Sequence, residues 1–336
     1  MTPLTGSPAT LSNQQIAVLL CGLSYNDPQT DIGSYLPGWS VVWDGAVTSD
    51  GNYAFIATNS DSSIYALAIR GSLPPFDVVK DWDAFANWVL EDMDVITTVD
   101  WTYVSPSTSN AKITAGANRA FSQVNSMKNT NDPNGPGIFD YLQANAVAKG
   151  KQVIITGHSL GGNVANVFAS YFISSLISST PTIANLTTLV TFAAPAAGNS
   201  AFASDLDGKL SSAWHYANDN DIVPKFPVDV FVLEIGFMYL GGPSSGSITV
   251  TYKGKTISLR EAFIMLAGAF LIYGYAQQNL NFEPFYVDIN SQYTQNTFED
   301  FFQQAGYQHE VMHYASNLGI TLPSISTLIA QGKLVQ

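Results

Sequence analysis

Lys151-Gln152-Val153-Ile154-Ile155-Thr156-Gly157-His158-Ser159-Leu160-Gly161-Gly162 is the stretch whose reading decides the fold. Its first half is β-branched and follows Gly150, the pattern of a strand buried in the middle of a parallel sheet. Its second half is rich in glycine and runs into residues 160–178, whose apolar residues predict a long helix. Gly-x-Ser-x-Gly between a strand and a helix sets the serine on a sharp turn, its hydroxyl presented at the carboxyl edge of the sheet. The five-residue pattern alone recurs by chance. The strand before it, the helix after it and the additional Gly162 make Ser159 a candidate nucleophile.

Outward from this centre, residues 40–43, 52–59 and 63–69 read as adjacent strands separated by Asp-Gly and Asn-Ser-Asp turns, the third ending at Arg70-Gly71-Ser72. Residues 11–25 carry Ile16, Leu19, Leu20 and Leu23 at helical spacing. A break at Leu73-Pro74-Pro75-Phe76 precedes an aromatic segment with Trp82, Phe85 and Trp88 that reads as helical. Residues 92–104 then predict a strand, 113–127 a helix, 129–137 a surface loop and 138–149 another helix. Beyond the serine, 186–192 and 212–217 are further candidate strands. This alternation predicts an open α/β sheet within one domain spanning residues 1–336. Residues 228–285 break the pattern: they are apolar and glycine-rich, with a hairpin around Lys253-Gly254 and an apolar helix over 259–275, and read as an insertion on the sheet.

Composition narrows the partners. Apolar residues make up 46% of the chain and charged residues 12%, which suits a large core under loop-rich connections rather than disorder. Thirteen basic against twenty-six acidic residues give a formal charge of −13, so nucleic-acid backbones and anionic membranes are excluded as partners and any attraction to lipid must be apolar. The longest apolar stretch, 262–276, falls short of the roughly twenty residues that cross a bilayer. Residues 1–12 carry no Lys or Arg ahead of the apolar run 16–20 and do not read as a secretory signal. Cys21, the single cysteine, has no partner for an intramolecular disulfide.

A serine hydroxyl needs an imidazole to take its proton and a carboxylate to hold that imidazole in the useful tautomer. Of four histidines, His158 sits in the turn itself and points away from its neighbour's hydroxyl, and His215 lies in a predicted strand; both read as structural. His309 and His313 remain as bases. In folds of this kind the acid lies between serine and histidine in the chain. That order points to Asn218-Asp219-Asn220-Asp221-Ile222-Val223-Pro224, just past a predicted strand, where Asp219 and Asp221 compete; the plain alternative is a turn-forming loop. The oxyanion of ester cleavage needs preorganised donors. The Leu160 amide, directly after the nucleophile, is one, and the Ser72 amide and hydroxyl, leaving an early strand, are the other.

Together, Gly157-His158-Ser159-Leu160-Gly161-Gly162, Ile69-Arg70-Gly71-Ser72, Thr191-Phe192-Ala193-Ala194-Pro195-Ala196-Ala197-Gly198-Asn199 and Asp221-Ile222-Val223-Pro224 resemble the class 3 (fungal-type) triacylglycerol lipases, across residues 11–314. The resemblance implies an α/β-hydrolase-like fold, a central mostly parallel sheet flanked by helices with a lid or cap insertion. It also implies ester hydrolysis through an acyl-enzyme without metal or organic cofactor, on a lipid or other ester substrate met at an oil-water interface. By motif it makes Ser159 the nucleophile, Asp221 the acid and His309 the base, since His309-Glu310-Val311-Met312-His313-Tyr314 looks like a longer-spaced form of the family's histidine-tyrosine pair. Residues 73–86 are the expected lid loop and 228–285 an expected cap, whose helix either covers the acyl site or serves as ordinary core or an oligomer contact. A secreted address is favoured over a cytoplasmic one. Phospholipase A1 and feruloyl-type or short-chain esterase are the alternatives within the same chemistry, and a lipase-like binding protein without catalysis is the alternative of another class.

Overall fold

Seven strands form the main sheet of the computed structural model, which describes residues 11–71, 81–87, 89, 94–252 and 254–322. They are β1 (Trp39–Asp44), β2 (Ala54–Asn59), β3 (Ile64–Ile69), β4 (Gln152–His158), β5 (Thr187–Phe192), β6 (Ala213–Asn218) and β7 (Phe282–Phe285), side by side in chain order. The first three pair antiparallel; β3 to β7 run parallel. The sheet is therefore mixed and mostly parallel, the expected α/β-hydrolase-like class. In β4 every residue from Val153 to His158 is buried, as a central strand covered on both faces requires.

Alternation along β4 sorts its side chains between two layers. Val153 and Ile155 enter a core with Val164, Phe168 and Phe172 of helix α2 (Leu160–Leu176). Ile154 enters a second core with Leu19 and Leu20 of the earlier helix α1 (Asn13–Leu23) and with Tyr314 near the carboxyl end. Ser12 and Gln15 close a capping box at the start of α1, each side chain accepting the other residue's backbone N–H. Cys21, on the buried face of α1, lies 3.2 Å from Thr156 Oγ1 of β4, and burial pushes its thiol up to about 12.

Residues 228–285 contribute to a third apolar cluster. Helix α3 (Asp229–Ile235) packs on helix α4 (Leu259–Phe270), whose Phe263, Leu266 and Phe270 join Trp82, Phe85, Phe226, Phe301 and Phe302. The hairpin Thr249–Tyr252 and Lys255–Ser258 precedes α4, turning at Gly254. Two helices finish the described chain, α5 (Phe298–Gln308) and α6 (Val311–Asn317).

Several elements differ from the sequence reading. Among the described residues of 92–104 only Thr98–Asp100 is strand, and it pairs with Lys112–Thr114 in a small separate sheet. The helix expected from residue 113 starts at Ala115, because Thr114 caps it through its hydroxyl. The apolar helix expected over 259–275 ends at Phe270 and tightens into a 3-10 turn, Leu271–Tyr273, which Gly274 closes in the left-handed region. Strand β7, Phe-Glu-Pro-Phe, was not expected; it is an edge strand, the place where a sheet tolerates proline. Of the expected lid, 73–80 lie outside the described residues, and Trp82–Asn87 form a short helix whose Trp82 and Phe85 are buried against α4 and α5, with rings 5.2 Å (Trp82–Phe263) and 4.7 Å (Phe85–Phe302) apart. Among the described residues no helix is long and apolar enough to cross a membrane.

Candidate active site

Strand β4 delivers Ser159 to the sheet's carboxyl edge, where it becomes the N-cap of α2 with φ 60° and ψ −133°. A positive φ in a residue with a Cβ is strained, and the surrounding glycines allow it. A Cβ on Gly161 would stand 2.2 Å from the Ile69 carbonyl oxygen and 2.7 Å from the Arg70 carbonyl carbon, so only glycine lets the first turn of α2 pass the end of β3. Serine at an N-cap ordinarily spends its hydroxyl on a backbone N–H inside the helix. Ser159 makes no such bond. Its Oγ lies 2.8 Å from His309 Nε2 instead.

His309 ends α5 as its C-cap, and its Nδ1 lies 2.7 Å from Asp221 Oδ2. A carboxylate only accepts, so Nδ1 carries the proton and donates to Asp221, which leaves Nε2 to accept from the Ser159 hydroxyl. Asp221 follows β6 and is fully buried. Its oxygens are held from two sides: Oδ1 accepts the Val223 amide at 2.9 Å, and Oδ2 accepts the Tyr314 hydroxyl at 2.7 Å. Tyr314 Oη in turn accepts the Asn218 amide at 3.2 Å, while Asn218 Nδ2 donates to the carbonyl and Oε1 of Gln308, the residue before His309. Buried carboxylate, tyrosine, asparagine and glutamine thus satisfy one another and lock the loop on either side of the imidazole.

The other candidates fall elsewhere. Asp219 is exposed and donates its backbone N–H to Phe285 of β7 at 2.8 Å. His313 sits on α6 with its ring 4.5 Å from that of Tyr307 and makes no hydrogen bond to Ser159 or Asp221. His215 is buried in β6, its Nδ1 2.8 Å from Thr191 Oγ1, and burial lowers it to about 4. Leu160 is the first residue of α2, where an amide has no acceptor inside the helix and is free for an incoming oxyanion. Ser72 lies outside the described residues. Gly71 before it abuts the nucleophile: a Cβ there would be 2.8 Å from Ser159 Cβ and 2.6 Å from the His158 carbonyl oxygen.

Sequence reasoning missed the bonds of Tyr25, Asn218 and Gln308, and placed Tyr314 only as a marker of the histidine. Nothing in local spacing signals them, since each acts across a contact of 90 residues or more. Among the described residues no three His, Cys, Asp or Glu side chains group to hold a metal ion.

Residues 66–231 match the family model described as lipase, class 3. The chain is similar in structure to M37 lipase, with a TM-score of 0.72, 19% identity, and 92% of this chain and 93% of that one covered. Lipase II from Rhizopus niveus aligns at a TM-score of 0.49 and 19% identity over 67% of this chain and 78% of that one. The Rhizomucor miehei lipase–propeptide complex aligns at 0.48 and 18% over 67% and 66%. No curated protein matches by sequence.

Proposed function

From the match of residues 66–231 to the class 3 lipase family, we propose that the chain is a serine hydrolase cleaving the carboxylic esters of lipids, triacylglycerols foremost. The observation that carries this reading is the continuous line of bonds from Ser159 Oγ through His309 to Asp221, at 2.8 and 2.7 Å. Such a line supplies a nucleophile, a base and an orienting carboxylate in hydrogen-bond reach of one another.

In the proposed reaction Ser159 Oγ attacks the ester carbonyl carbon while its proton passes to His309 Nε2. The imidazolium so formed is stabilised by the buried Asp221 carboxylate. The carbonyl oxygen, now an anion, takes hydrogen bonds from the Leu160 amide and from Ser72. Collapse of this intermediate expels the alcohol, which leaves with the proton from His309. Water then gives a proton to Nε2 and attacks the acyl-enzyme, and the second collapse frees the fatty acid and returns the proton to Ser159.

Residues 228–285 are the cap in this reading, with 73–86 as a second covering segment. Support comes from the outer face of the insertion: Leu271 is 65% and Ile272 82% exposed, Leu240 of the loop after α3 is 75% exposed, and Ile264 and Met265 stand out on α4. No charged residue occurs from 262 to 276. An uncharged greasy face on a chain of charge −13 suits a neutral oil surface and not an anionic one.

The test is direct. Ser159→Ala should lower hydrolysis of a water-soluble p-nitrophenyl ester and of a triacylglycerol emulsion by at least about 10⁴-fold, with the fold intact. A fluorophosphonate should label the parent at Ser159. Full activity in Ser159→Ala would overturn the assignment, and preference for phospholipid or feruloyl esters over triacylglycerol would move the substrate class.

A further inference from the structure

The proposed chemistry leaves a second buried histidine without a task. His158 is 1% exposed, directly precedes the nucleophile, and has its ring centre 4.7 Å from that of His309. Both its nitrogens are engaged. Nε2 lies 3.0 Å from the main-chain oxygen of His309, and Nδ1 lies 2.9 Å from the Tyr25 hydroxyl. A carbonyl only accepts, so Nε2 carries the proton; in the neutral ring Nδ1 is then the acceptor and Tyr25 the donor. Burial, reinforced by the neighbouring His309, holds His158 well below the ordinary imidazole range. Tyr25 is fully buried just beyond α1, and burial raises its phenol, so it remains a hydroxyl donor.

The bonds to Ser159 and Asp221 fix the tip of the His309 imidazole, whereas the His158 bond reaches the backbone that carries it. Tyr25 also touches the strand end that leads to Ser72, since a Cβ on Gly71 would come within 2.7 Å of its hydroxyl oxygen. One hydroxyl and one imidazole therefore join four pieces of chain: the end of α1, the end of β3, the turn holding the nucleophile, and the turn holding the base.

We propose that Tyr25 and His158 are positioning residues that set the His309 backbone, and through it the imidazole, at bonding distance from Ser159 and Asp221 at once. The role rests on the reading of Ser159 and His309 as nucleophile and base. A neutral ring is the right element at this point. A cation beside His309 would oppose the imidazolium that forms as Ser159 attacks, whereas a neutral N–H donor holds the carbonyl without that penalty.

The experiment compares Tyr25→Phe, His158→Leu and His158→Gln with the parent, measuring kcat and KM on a water-soluble p-nitrophenyl ester, active sites by fluorophosphonate titration, and thermal melting. Misplacing a base by a fraction of an ångström should lower kcat about 100-fold in His158→Leu and about tenfold in Tyr25→Phe, with KM within about twofold. His158→Gln keeps an amide N–H within reach of the His309 carbonyl and should recover at least about tenfold of the loss. The proposal is overturned if His158→Leu melts like the parent and keeps kcat within about twofold, or if His158→Gln recovers nothing while melting like His158→Leu. If His158→Leu does not fold, Tyr25→Phe decides, and parental kcat in that variant overturns the role. A parent that turns over no ester and takes no fluorophosphonate sinks the hydrolase reading itself, a result separable from all of these.

Discussion

Ser159 shows how one residue type can be turned from a structural habit to a chemical one. Its place at the head of α2 is where serine commonly caps a helix, yet φ 60° swings the hydroxyl out of capping range and toward His309. That backbone is enforced by neighbours with no side chain. Gly161→Ala would drive a Cβ to 2.2 Å from the Ile69 carbonyl oxygen, a clash with backbone that cannot rotate away. It should cost about 3 kcal/mol in urea unfolding and disturb the serine's reactivity toward fluorophosphonate. Gly208, in the helix Ser200–Lys209, is the control: a Cβ there meets nothing within 4 Å, so Gly208→Ala should stabilise by about 0.5–1 kcal/mol. A destabilised Gly208→Ala together with an unaffected Gly161→Ala would contradict the packing argument. Ser159 was legible because its glycines and flanking elements are contiguous in sequence. Tyr25 and His158 were not, because their value depends on a bond spanning 133 residues.

At the scale of elements, the strands that could be read were those with unbroken β-branched runs, such as β4, where burial on both faces removes the need for polar alternation. Strand β7 escaped because Phe-Glu-Pro-Phe carries an acid and a proline, tolerable only at an edge, and three of its four residues are exposed. Helix α4 was read as apolar but its two faces could not be told apart from composition. The structure separates them: Phe263, Leu266 and Phe270 are inside, Ile264 and Met265 outside, and Leu271 and Ile272 continue the outer face. The proposed cap then makes a specific claim. Ile272→Glu should leave turnover of a soluble short-chain ester unchanged and lower the rate on a neutral triacylglycerol emulsion about threefold to tenfold, since one greasy contact becomes a charge. Equal loss on both substrates, or on neither, would remove that face from the reading.

Over the whole molecule, charge and buried histidines set the response to acid. The His215 imidazole is lowered from its ordinary 6.5 to about 4 by burial, so between these values the unfolded chain binds a proton that the folded chain refuses. Its stabilising contribution is complete above about pH 6.5 and is lost progressively toward about pH 4, a loss of roughly 3 kcal/mol, and His158 adds to it in the same direction. Urea midpoints measured from pH 8 to pH 4 should fall through that window, and less steeply in His215→Gln; an identical slope in the variant would refute the attribution. The Cys21 thiol belongs to this scale too. It is the chain's sole sulfhydryl, closed between α1 and β4 against Thr156, and its raised pKa leaves almost no thiolate at neutral pH. Its alkylation is thereby gated by departure of the amino-terminal helix from the sheet, so the chain carries a native stopwatch for the opening of the layer that holds Tyr25.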